Sequence, residues 1–175
     1  MIAVRHNGRI ALAADSLWAS GWDAARHVRP KIERRGDTLV TVGPSCGHSH
    51  ALQREVFRFI DECDGGWPER WPEYCLSRED THPLRRMAAD DDKSAPIIVV
   101  WQGRMFKLWC DGGLSDRADP VIAIGCGAGF ATGAAHAFLR THKSARAVAL
   151  KAAEVACELS IGCGPPIICE SVNAA

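Results

Sequence analysis

Met1-Ile-Ala-Val-Arg-His-Asn-Gly-Arg-Ile-Ala-Leu-Ala-Ala-Asp15 opens the chain as two apolar runs hinged on Asn7-Gly8. Asn-Gly is the pair that best tolerates the positive φ angles of a two-residue turn, so residues 1–5 and Arg9–Ala14 read as paired strands. The pattern returns further on. Pro96–Trp101 and Arg104–Trp109 flank Gln102-Gly103, and setting Gly103 against Gly8 matches Ile97 with Ile2, Ile98 with Ala3, Val99 with Val4, Arg104 with Arg9 and Met105 with Ile10. Two similar hairpins suggest two sheets related by approximate symmetry.

Outward from the hairpins, Thr38–Val42 reads as a strand and 48–62 as a helix. Leu52, Val56, Phe59 and Ile60 fall on one face of that helix, and Arg54, Glu55, Arg58 and Asp61 on the other. Residues 120–124 read as a strand running into Gly125-Cys126-Gly127-Ala128-Gly129. A helix follows to about residue 142, with Phe130, Ala134 and Phe138 at spacings of four. Ser144 is placed to cap a second helix, whose stripe is Val148, Ala152, Val155 and Leu159. Residues 162–166 end it, and 167–172 make a last strand. Hairpins between two separate groups of helices predict an α+β fold, a four-layer αββα sandwich of two antiparallel sheets flanked by helices.

Residues 64–94 differ in character. They hold Gly65-Gly66, Trp67-Pro68, Trp71-Pro72 and the charged run Asp90-Asp91-Asp92-Lys93. Proline disfavours helix at the residue before it, so the Trp-Pro tract reads as irregular, a surface connection in preference to a docking surface. The segment is an insert-like part of a single domain spanning 1–175. A chain of 175 residues buries about two-thirds of its unfolded surface.

The balance of 21 basic and 21 acidic residues gives no global pull toward nucleic acid or an anionic membrane. No apolar run reaches the roughly 20 residues of a membrane span. Asp15 interrupts the opening apolar stretch, which therefore does not read as a signal peptide. The eight cysteines include no Cys-x-x-Cys pair, and read as reduced thiols of a cytoplasmic protein. Cys46-Gly-His48-Ser-His50 offers three of the four ligands a zinc ion takes, and reads as a turn leading into a helix. Gly125-x-Gly127-x-Gly129 between strand and helix has the form of a phosphate cradle. A dinucleotide site needs a βαβ unit with an acidic residue on the second strand, and here another helix follows. No cofactor or metal is expected.

These residues together resemble the bacterial HslV peptidase and the proteasome β-subunits. The opening hairpin ending in Ala14-Asp15, Lys31-Ile-Glu-Arg-Arg35, the small-residue turn at 43–47, Val121-Ile-Ala-Ile-Gly-Cys-Gly127 and the two alanine-rich helices follow that family in order and spacing. Residues 64–94 are the main departure. In the family, an N-terminal threonine attacks the peptide carbonyl and its own amine accepts the proton. The resemblance makes Lys31 the catalytic lysine and Asp15 the aspartate that holds it. Gly47 falls at the loop that supplies an oxyanion amide. Cys126 stands where the family has serine, a weaker hydrogen-bonding group, and reads as packing or support. Glu158 lies in the second helix and Cys163 near the loop after it, and neither is assigned a role.

Matched without gaps, Met1 takes the family's third position, and a thioether is no acyl-transfer nucleophile. Two expectations follow: the threonine lies two residues upstream, or the chain is a catalytically inactive ring subunit with a structural or binding role. The resemblance further implies a homo-oligomeric double ring, unfolded polypeptide substrates and an ATP-dependent unfoldase as partner, with no nucleic acid and no membrane involved.

Overall fold

The computed structural model describes residues 1–20, 23–26, 29–43, 49–63, 67–78, 82, 95–116 and 118–175. In chain order its elements are β1 (Ile2–His6), β2 (Arg9–Ala14), β3 (Leu17–Ser20), β4 (Asp23–Arg26), β5 (Ile32–Arg35), β6 (Thr38–Val42), α1 (Ser49–Glu62), α2 (Trp71–Leu76), β7 (Pro96–Trp101), β8 (Arg104–Trp109), β9 (Leu114–Ser115), β10 (Val121–Ala123), α3 (Ala128–Phe138), α4 (Ala145–Leu159) and β11 (Ile168–Asn173). One antiparallel sheet has the order β10-β1-β2-β11 and a second the order β5-β6-β7-β8-β9, while β3 and β4 form a separate ribbon.

Strand alternation sorts the apolar residues into three layers of core. Ile2, Val4, Ala11 and Ala13 face the alanines of α3 and α4. Their neighbours Ala3, Ile10, Leu12 and Ala14 face the other way and meet Leu39, Ile98, Val100 and Met105 from the second sheet. Val40, Val42, Ile97, Val99, Phe106 and Leu108 leave that sheet's far side and pack on Leu52, Val56 and Phe59 of α1. Both sheets are covered on both faces, which is why their central strands carry nearly unbroken apolar runs. The αββα sandwich follows directly.

The two hairpins share their turn. Asn7 and Gly8 have φ of 47° and 71°, and Gln102 and Gly103 have 46° and 71°. His6 pairs with Arg9 as Trp101 pairs with Arg104. Ile2 and Ile97 both point toward a helical layer, and Ala3 and Ile98 both point between the sheets. Each hairpin is thus the centre of its sheet.

Several expectations need correction. Helix α3 ends at Phe138, and its buried residues are Ala131 and Ala135 while Phe130 is 46% exposed. In α4 the buried face is Ala145, Val148, Ala149, Ala152, Ala153 and Ala156, and Leu159 is exposed. The reason is shared: the two helices lie on β1 and β2 and against each other, and only small side chains fit such close approach. In α1, Phe57 and Gln53 join the expected Leu52, Val56 and Phe59 on the buried face, and Ile60 packs partly buried against it.

The Trp-Pro tract is neither wholly irregular nor on the surface. Trp71–Leu76 is a helix with Pro72 in its first turn, where a missing N–H costs nothing. Trp67 and Trp71 are buried in the layer beneath α1. Trp71 donates its indole N–H to the Trp109 carbonyl at 2.9 Å and meets Phe59 edge to face. Trp67 packs edge to face on Phe106. The tract therefore completes the outer face of the second sheet.

Candidate active site

Asp15 immediately follows β2 in the first sheet, and Lys31 immediately precedes β5 in the second. Their side chains meet across the sandwich: Lys31 Nζ donates to Asp15 Oδ1 at 2.9 Å and to the Leu17 carbonyl at 2.5 Å. The other carboxylate oxygen, Oδ2, accepts from the Leu17 N–H at 3.1 Å and the Gly164 N–H at 3.3 Å. Side-chain exposures of 15% and 8% put the pair largely out of water. A charge pair so placed persists only because both ends are hydrogen-bonded as well as paired. Two of the three ammonium donors are used, and among the described residues the third has no acceptor.

The main chain at Lys31 is held from behind. Its carbonyl accepts from Thr41 Oγ1 at 2.9 Å and from Gln53 Nε2 at 2.8 Å. Gln53, buried in α1, also donates to the Val40 carbonyl at 3.3 Å, and its Oε1 lies 2.9 Å from His50 Nδ1. Gln53→Leu is expected to cost about 1–3 kcal/mol, because it strips donors from carbonyls that stay buried. Urea unfolding checks this, and a change within error would show that Thr41 alone suffices.

Strand β1 aims at the same corner. Val4, Ala3 and Ile2 pair with Val121, Ile122 and Ala123. The ladder continues one residue further, where the Met1 nitrogen donates to the Ile124 carbonyl at 3.1 Å and the Ile124 N–H to the Met1 carbonyl at 3.0 Å. The Met1 sulfur lies 2.8 Å from Thr41 Oγ1, whose single proton goes either to it or to the Lys31 carbonyl. Met1 as a residue is half-buried, but its nitrogen is enclosed. Burial pushes the amine below its ordinary value of 8.0, against the opposing charges of Asp15, Cys163 and Cys126 and with the help of Lys31.

No family model matches the sequence. The chain is 25% identical to the ATP-dependent protease subunit HslV of Aquifex aeolicus over 175 residues, covering 98% of this chain and 96% of that protein. It is 26% identical to the HslV of a Sulfurihydrogenibium strain, covering 99% and 96%. Among solved structures, HslV from Trypanosoma brucei superposes with a TM-score of 0.81 at 21% identity, over 98% of both chains. BPH of Thiobacillus denitrificans, solved with epoxomicin, gives 0.72 at 21% identity over 99% and 98%. Over nearly its whole length the chain is similar to HslV, and it shares the HslV fold.

In this HslV-like subunit the expected pair Asp15 and Lys31 comes together. Cys126 lies on the turn between β10 and α3, with its Sγ 3.7 Å from Cys163 Sγ on the turn between α4 and β11. Glu158 is exposed. Gly47, with Cys46 and His48, lies outside the described residues. Among the described residues no group of three His, Cys, Asp or Glu side chains is arranged for a metal, and His50 turns a ring nitrogen to Gln53. Two of the three glycines after β10 have structural reasons. Gly125 sits at φ 93°, and a Cβ on Gly127 would come within 2.7 Å of Cys163 Sγ.

Sequence reasoning missed Thr41, Gln53, the Leu17 carbonyl and the Gly164 amide. Gln53 carried a faint signal, since it stands three and four residues before the apolar Val56 and Phe57. The backbone groups carried none.

Proposed function

We propose that this chain is a subunit of a self-compartmentalising threonine peptidase that hydrolyses peptide bonds in unfolded polypeptides. Its nucleophile would be a threonine two positions ahead of Met1. One observation carries the reading: β1 runs in register along β10 through Met1 and Ile124, toward the corner where Asp15 and Lys31 pair. Continued in that register, a residue two positions ahead of Met1 falls opposite Cys126, beside the lysine's free donor.

Each group then has a task. The threonine hydroxyl attacks the peptide carbonyl, and the terminal amine takes its proton. The Lys31 ammonium, fixed by Asp15, favours the developing alkoxide and disfavours protonation of the amine, since a positive neighbour stabilises negative charge and opposes positive. Gly47 would supply an amide to the tetrahedral oxyanion, and the Cys126 thiol would sit beside the nucleophile. The assembly in this reading is a homo-oligomeric double ring fed by an ATP-dependent unfoldase, in keeping with relatives named as subunits of an ATP-dependent protease.

The test compares two expressed forms, one beginning Thr-Thr ahead of Met1 and one beginning at Met1. The first is expected to cleave fluorogenic peptides and be inactivated by epoxomicin, and the second to do neither. A Thr-Thr form that assembles into a ring but neither cleaves nor reacts would overturn the peptidase reading and leave a structural ring subunit. The native N-terminus, read by intact mass, decides which form the cell makes.

A further inference from the structure

Two cysteines beside the candidate site approach each other in a way that the peptidase chemistry does not need. Cys126 Sγ and Cys163 Sγ are 3.7 Å apart, on turns separated by 37 residues of sequence. Space for both thiols is made by glycines opposite them. A Cβ on Gly127 would lie 2.7 Å from Cys163 Sγ, and one on Gly162 would lie 2.6 Å from Cys126 Sγ. Any other residue at either position would drive one sulfur away. Cys126 is exposed and Cys163 half-buried, whereas Cys63, Cys75, Cys110 and Cys169 are buried.

We propose that Cys126 and Cys163 form a redox-reactive dithiol at the rim of the N-terminal site, which small-molecule disulfides convert into an intramolecular cross-link. The exposed Cys126, as thiolate, attacks one sulfur of the small disulfide and expels a thiolate, forming a mixed disulfide. Cys163 loses its proton, attacks Cys126 Sγ and expels the second small thiol. One small disulfide is reduced to two thiols as two cysteine thiols are oxidised to one disulfide. Burial pushes the Cys163 thiol up, which lowers its thiolate fraction, and its 3.7 Å approach to Cys126 Sγ offsets that loss by proximity. Among the described residues, burial makes three other thiols poorer thiolates, raising Cys110 to about 12 and Cys157 and Cys169 to about 11.

The cross-link would bear on the site through a short path. The turn carrying Cys163 continues into Gly164, whose N–H donates to Asp15 Oδ2 at 3.3 Å and whose carbonyl accepts from Ser16 N–H at 3.0 Å. Closing the sulfurs to the bonded distance of about 2.05 Å draws that turn toward the Cys126 turn. It also removes the Cys126 thiol from its place beside the nucleophile. This consequence rests on the proposed function; formation of the cross-link does not.

The experiment treats the folded chain beginning at Met1 with stoichiometric oxidised glutathione and reads intact mass and a peptide map. The expected product has lost two hydrogens, retains no glutathione and links Cys126 to Cys163. Cys126→Ser and Cys163→Ser should each abolish the link, with Cys163→Ser leaving glutathione on Cys126, while Cys157→Ser should still form it. Glutathione remaining on wild-type Cys126, or a link that runs through Cys157, overturns the proposal. In the Thr-Thr form, peptide hydrolysis should fall on oxidation and return with dithiothreitol, and Cys163→Ser should lose this response. A Thr-Thr form without activity would sink the peptidase reading, while the mass measurement still decides the cross-link.

Discussion

Lys31→Met in the threonine-initiated form is expected to lower peptide hydrolysis by about 10²–10⁴-fold, the range lost with a positioned acid–base or oxyanion group. The ammonium bridges two sheets, holding Asp15 Oδ1 at 2.9 Å and the Leu17 carbonyl at 2.5 Å. Methionine keeps the length of the side chain and removes the charge. It also leaves a carboxylate at 8% side-chain exposure with only backbone N–H partners. Stranding such a group costs about 2–4 kcal/mol, so the variant should unfold at lower urea as well. Two readouts separate the effects. Asp15→Asn combined with Lys31→Met should recover part of the lost stability, because no charge is then stranded, while hydrolysis stays as low as in Lys31→Met alone. If hydrolysis tracks stability across the set, the lysine is a strut and has no part in the chemistry.

Trp71→Ala is expected to destabilise the subunit by about 3–5 kcal/mol, the range for deleting a fully buried large aromatic. That corresponds to a fall of about 2 M in urea midpoint for a domain of this size. The side chain has no exposure, packs on Phe59 and Tyr74 and satisfies the Trp109 carbonyl. Trp71→Phe keeps an aromatic ring and removes the indole donor, so it should cost less, about 1–3 kcal/mol. Were the tract a surface connection, both variants would fall within about 0.5 kcal/mol of wild type. The contrast between core and surface is therefore large enough to read from a single pair of denaturation curves.

The hairpins were legible because their signals are local. Asn7-Gly8 and Gln102-Gly103 announce turns of positive φ, and apolar runs on either side announce strands. Strand β5 was harder, since Ile-Glu-Arg-Arg has one apolar residue and lies at a sheet edge. In α3 and α4 the expected stripes are met at Val148 and Ala152, while Phe130 and Leu159 fall outside the buried face. Alanines won, as tight helix-on-sheet approach excludes Phe130 and Leu159. The Trp-Pro tract was misjudged because the restriction that proline places on the residue before it was read as excluding a helix altogether. Pro72 instead opens one.

The sequence by itself marked the two central hairpins, the main helices and the αββα class, because turn chemistry and strand alternation are properties of neighbours along the chain; Asp15 and Lys31 became candidates through the resemblance to HslV and the proteasome β-subunits. Only the tertiary structure decided what surrounds that pair. The Leu17 carbonyl, the Gly164 amide, Gln53 and the facing thiols of Cys126 and Cys163 come from segments far apart in sequence. Backbone groups look alike in every sequence, and a thiol pair separated by 37 residues has no local mark. Their meeting is fixed by how the sheets and helices stack.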